Sequence, residues 1–177
     1  MQMKALFTLL LALCSSVSIS QTAVEYTRNG NAKLDRKDYR GAIADYTKAI
    51  QVNPRHEDAY FKRGVAKINL YDYYGAIADF TTVTEINPQN ADAYFRMGAL
   101  KYFITYSNIL EEIEGLGGAI NDLTKAIEIN PKFARAYFVR GLVKIKRNHK
   151  QSGCLDLSRA GELGYEDAYD EIRRRCR

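Results

Sequence analysis

The sequence contains no tryptophan, two histidines, three cysteines and three prolines, and it nowhere holds the roughly 20 consecutive apolar residues that a bilayer-spanning helix needs. Each shortage excludes something. His56 and His149 stand without cysteine or histidine neighbours at ligand spacing, so the convergent donors of a zinc site are not expected. No glycine-rich phosphate loop, nucleophile elbow or paired-histidine motif is present, and the expectation is a protein without catalysis, cofactor or metal. With 46% hydrophobic and 27% charged residues, the 177-residue chain has the composition of a globular protein, which excludes disorder and a collagen-like fold. Its formal net charge of +5 is mild and by itself marks no nucleic-acid binder.

Residues Met1 to Ser20 have three parts: Lys4 in a short positive start, an apolar run from Ala5 to Cys14, and a serine-rich end. Ser18 and Ser20 are small residues at the two positions a signal peptidase reads. This predicts a signal peptide over residues 1–20, cleavage after Ser20, and export to the periplasm or cell envelope of a bacterium. An alternative makes Cys14 the acylated residue of a lipoprotein, although Leu13 stands where such cysteines have a small neighbour. A buried N-terminal helix is the other alternative, and Ala5 to Leu13 lacks the amphipathic period it would show.

Self-similarity dominates the rest. A-Y-F-K-R-G at Ala59 to Gly64 returns as A-Y-F-R-M-G at Ala93 to Gly98 and A-Y-F-V-R-G at Ala136 to Gly141. G-A-I-A-D at Gly41 to Asp45 returns at Gly75 to Asp79 and, as G-A-I-N-D, at Gly118 to Asp122. Asn53-Pro54, Asn87-Pro88 and Asn130-Pro131 close the units, and Gly30, Gly64 and Gly98 step by 34 residues. Helix-interior glycines at Gly30, Gly64, Gly98 and Gly141 imply close helix approach, because each otherwise costs about 0.5–1 kcal/mol relative to alanine. Proline after asparagine stops a helix by pushing the residue before it out of the α region.

This pattern resembles the tetratricopeptide repeat, a 34-residue helix-turn-helix unit, over essentially all of residues 21–177. In the second unit the family's signature positions are Tyr60, Gly64, Ala76, Phe80, Val83 and Pro88, with tyrosine for the family's tryptophan. The resemblance implies an all-α, right-handed solenoid of four repeats, 23–56, 57–90, 91–133 and 134–165, capped by a C-terminal helix over 166–177. The third repeat carries nine extra residues between Lys101 and Ala119, expected to prolong its first helix and to return through a loop rich in glycine (Gly115, Gly117, Gly118). Repeat insertions are often binding elements, and a neutral insertion packed locally is the alternative.

In this family the first helices of successive repeats line a groove that binds peptides or partner helices. By position it would present Thr27 and Asn31, then Phe61, Val65 and Ile68, then Phe95, Ala99 and Tyr102, then Phe138, Leu142 and Ile145. Phenylalanine stands where chaperone-tail-binding members use lysine, so an apolar peptide or amphipathic helix is the expected partner. The alternative is that these side chains pack between repeats. Cys154 and Cys176 lie at similar distances before and after the Gly164 turn, and at 1.5 Å per residue antiparallel helices bring them level. That predicts a disulfide, with two separate buried thiols as the alternative. Seven basic residues and no acid lie between Pro131 and Leu155, and Arg173, Arg174, Arg175 and Arg177 end the chain. The basic end would serve a membrane surface or acidic partner, or is simply solvated. The expectation is a monomeric, non-catalytic scaffold for another protein, without nucleic acid; an envelope-attached or self-associating component is the second reading.

Overall fold

A computed structural model describes residues 22–107 and 112–176; the expected signal peptide with Cys14 lies outside them, as does the tip of the inserted segment. The described residues form nine helices and no strand: α1 (22–35), α2 (Tyr39–Val52), α3 (Glu57–Asn69), α4 (Tyr73–Ile86), α5 (Ala91–Ser107), α6 (Glu112–Ile129), α7 (Ala134–Lys146), α8 (Lys150–Glu162) and α9 (Asp167–Arg175). They divide after Ile86 into two units, each of two helix-turn-helix repeats, the second ending in α9.

In the first unit each repeat turns through a residue with a left-handed backbone, Lys37 (φ 61°) and Tyr71 (φ 63°). An aspartate then opens the second helix: Asp38 accepts from the Gly41 amide at 3.0 Å and Asp72 from the Gly75 amide at 2.9 Å. A Cβ on Gly41 would lie 2.1 Å from the capping carboxylate, which would have to shift to admit it. Gly30 and Gly64 bring the first helix of each repeat onto a ring of the second, Tyr46 and Phe80, both fully buried. Burying such a side chain is worth about 1.5–3 kcal/mol. The asparagine of each Asn-Pro pair has its own part: Asn53, Asn87 and Asn130 accept the amide two residues on at 3.1 Å, folding the chain into a turn beyond the helix end.

The nine extra residues lengthen both helices of the second unit's first hairpin. α5 has 17 residues and α6 has 18, where α3 and α4 have 13 and 14. The expected glycine-rich loop is thus corrected: Gly115, Gly117 and Gly118 lie inside α6. The reason is packing, because a Cβ on Gly115 would lie 2.3 Å from the hydroxyl oxygen of buried Thr105 on α5. Leu116, Ala119, Leu123 and Ala126 of α6 pack with Phe95 of α5 and with Ala136 and Val143 of α7. α7 and α8 meet backbone to backbone: a Cβ on Gly141 would lie 2.8 Å from the Gly153 carbonyl oxygen. Gly164 (φ 90°) ends α8, and the Tyr165 amide closes the turn on the Ala160 carbonyl at 3.0 Å.

Candidate functional site

The first helix of each repeat carries two faces. One bears the candidate binding residues; the other bears cations aimed at an aspartate of the second helix. In the first unit Phe61, Val65 and Ile68 follow one another along α3, all half-buried. Phe61 packs edge-on against Phe80 with ring centroids 5.4 Å apart, so part of its surface belongs to the core. Thr27 and Asn31 of α1 are committed to the fold. The Thr27 hydroxyl donates to the Ala23 carbonyl at 2.9 Å and lies 3.2 Å from His56 Nε2. Asn31 accepts from the Tyr46 hydroxyl at 2.8 Å, and burial pushes the pKa of that phenol up.

In the second unit Phe138, Leu142 and Ile145 run along α7, half-buried, with the Phe138 ring tilted against that of Tyr165, centroids 4.7 Å apart. Ala99 and Tyr102 of α5 are half-buried against the core cluster. Phe95 is a correction to the expected groove: at 7% exposure it lies in the core, 4.9 Å from the Phe133 ring and beneath the Arg135 guanidinium. The extra turn of α5 brings in a residue the repeat pattern does not indicate, since Phe103 is half exposed beside Tyr102. Its only signal in the sequence is membership of the insertion.

The opposite face explains the recurring carboxylates. Arg63 grips Asp79 with two bonds of 3.0 and 2.7 Å, and its third nitrogen donates to Thr47 of the preceding repeat at 3.1 Å. Lys67 adds an ion pair of 2.8 Å. The second unit repeats the arrangement: Arg140 on Asp156 at 2.8 Å twice, on Thr124 at 3.1 Å, with Lys144 at 2.7 Å. Asp45 is held by Lys33 at 2.7 Å. Asp45 and Asp122 lack the arginine, since Asn29 and Met97 stand at its position; the cation beside Asp122 is Lys101, 2.7 Å from Oδ2. Burial accordingly raises the Asp122 pKa, and Lys101 offsets only part of that. Arginine before the glycine in the second and fourth repeats, and threonine two residues after the aspartate in the first three, are visible in the sequence; their meeting across repeats is not.

The same bonds reduce the basic C-terminal end. Arg140 and Lys144 serve Asp156, Arg173 pairs with Asp170, and Arg174 and Arg175 pair with Glu171. Cys154 of α8 and Cys176 after α9 are joined by a disulfide, Cα atoms 5.8 Å apart. Among the described residues no three His, Cys, Asp or Glu side chains form a group able to hold a metal ion, and no helix is long and apolar enough to cross a membrane.

Residues 30–70 match a family model described as TPR repeat, and residues 57–90 match one described as tetratricopeptide repeat. No curated protein matches the sequence significantly. Among solved structures the chain is similar to the MamA protein, at 23% identity over 86% of this chain and 79% of that one, with a TM-score of 0.77. It is similar to MamA from Desulfovibrio magneticus RS-1, at 19% identity over 80% of this chain and 75% of that one, TM-score 0.69. It is also similar to the first TPR of Spaghetti, solved bound to the HSP90 peptide SRMEEVD, at 22% identity over 73% of this chain and 95% of that one, TM-score 0.65. At these identities the likeness shows a shared fold.

Proposed function

We propose, with tetratricopeptide repeats as the premise, that this chain is a non-catalytic interaction module binding an apolar peptide or amphipathic helix of another protein outside the cytoplasm. The observation that carries this is the rows of half-buried apolar side chains on first helices, Phe61, Val65 and Ile68 on α3 and Phe138, Leu142 and Ile145 on α7. Rows three and four residues apart accept anchors at helical spacing. The peptide complex of Spaghetti supports a polypeptide partner by analogy of fold. The titratable groups that recur in phase, Asp45, Asp79, Asp122 and Asp156, are held in ion pairs, which favours binding over chemistry. The signal-like residues 1–20 and the Cys154–Cys176 bond support an exported, oxidising setting.

The test is affinity capture with the monomeric chain from Gln21 onward, comparing Ile68→Asp and Leu142→Asp with Lys48→Asp and Lys125→Asp. Circular dichroism first establishes that each variant is folded. The first-helix variants are expected to lose at least tenfold in partner recovery while the second-helix variants keep it. Equal recovery by all four removes the proposed faces from the argument.

A further inference from the structure

We propose that the Cys154–Cys176 disulfide is a site of thiol–disulfide exchange with a dithiol, and that its reduction releases α9 while α7 and α8 stay folded. Besides the disulfide, α9 meets α8 through buried Ala168 and through the Tyr169 ring, which lies against Gly161. It has nine residues, shorter than the roughly 12–15 a helix needs to persist in water, and of these only Ala168 is buried. Tyr169 is half exposed. The ion pairs Asp170–Arg173, Glu171–Arg174 and Glu171–Arg175 all lie within α9, so they support the helix without tying it to α8. The covalent bond ties the end of α9 that lies far from the Gly164 turn back to α8.

That tether is open to attack. Cys154 and Cys176 are half-buried and, with Lys150, Gln151, Leu155 and Ser158, line an open depression in which Leu155 is 68% exposed. The depression offers an apolar wall to a dithiol carried on a small molecule or a protein loop. A thiolate of the dithiol attacks Sγ of Cys176 at the end of the chain, and Cys154 leaves as a thiolate. Lys150 lies one turn earlier on α8 and lines the same depression. The second thiol then attacks its own sulfur in the mixed disulfide and expels Cys176. The dithiol gives up two electrons and two protons and becomes a disulfide; both cysteines become thiols.

Release of α9 removes the helix that follows Tyr165, whose amide stays on the Ala160 carbonyl and whose ring lies 4.7 Å from Phe138 on α7. Reduction would therefore alter one end of the α7 row, a consequence that rests on the proposed function, whereas the latch itself does not. The experiment needs no partner. The disulfide-bonded protein is treated with dithiothreitol across sub-denaturing urea, reduction is followed by alkylation and mass, and hydrogen exchange is measured by peptide. The expected result is a reduction rate independent of urea, with amides of 167–175 exchanging at least tenfold faster after reduction and those of 134–146 unchanged. A rate that rises with urea in step with global unfolding overturns the proposal. So does unchanged protection of α9 after reduction, or its loss across α7 and α8 together. The Cys154→Ser/Cys176→Ser protein reproduces the reduced exchange pattern if the latch is real and the oxidised pattern if it is not.

Discussion

Gly141 and Gly64 occupy the same place in two repeats, yet their surroundings differ. A Cβ at Gly141 meets the Gly153 backbone at 2.8 Å, which cannot yield without moving α8, whereas at Gly64 it meets the Phe80 ring edge at 3.0 Å, which can tilt. Gly141→Ala is expected to destabilise by about 1–3 kcal/mol in urea unfolding, and Gly64→Ala to fall within about 1 kcal/mol of wild type because helix propensity is regained. Tyr71 holds φ 63° in a turn where Asn148 of the fourth repeat holds the same angle. Tyr71→Asn is therefore expected to raise stability by about 0.5–1 kcal/mol, read by the same unfolding curves. The small residues were legible from their recurrence alone. Which of them face a ring and which a backbone was not, since that depends on the partner helix.

Helix pairs are held by more than apolar packing. Arg140→Met would copy onto Asp156 the situation native to Asp122, leaving one lysine as its cation, and is expected to cost about 1–3 kcal/mol in urea unfolding, with little relief from added salt. Asp122 itself gives a signed pH effect. Its carboxyl is raised from 3.8 in the folded state, so the folded protein binds the proton more tightly than the unfolded chain. Its contribution is fully present below the ordinary carboxylate range and is lost as pH rises through the raised value. The stability difference between wild type and Asp122→Asn is thus expected to move in favour of wild type as pH falls from neutral toward 4, and a difference flat with pH would contradict the assignment. At this scale the sequence misled once. Glycines in the insertion read as a loop, because pattern alone does not distinguish glycine freeing the backbone from glycine admitting Thr105 against α6.

For the whole molecule, four helix-turn-helix repeats and a terminal helix were readable because three markers kept phase over more than a hundred residues. The binding face was readable only in part. Position on the first helix nominated Phe95 alongside Phe61 and Phe138, but burial is decided by what packs above, and Phe133 and Arg135 cover Phe95. The disulfide closes the chain end onto α8 and should make the oxidised protein melt higher than the reduced one, with the loss of protection confined to 167–175. The account's central claim is that a polypeptide partner is held on first helices. Photo-crosslinking tests it most directly, with a photoreactive residue placed in turn at Val65 and Leu142 on first helices and at Lys48 and Lys125 on second helices. The account predicts a common crosslinked partner from Val65 and Leu142 and none from Lys48 or Lys125. Crosslinks arising from the second-helix positions, with none from Val65 or Leu142, would contradict it.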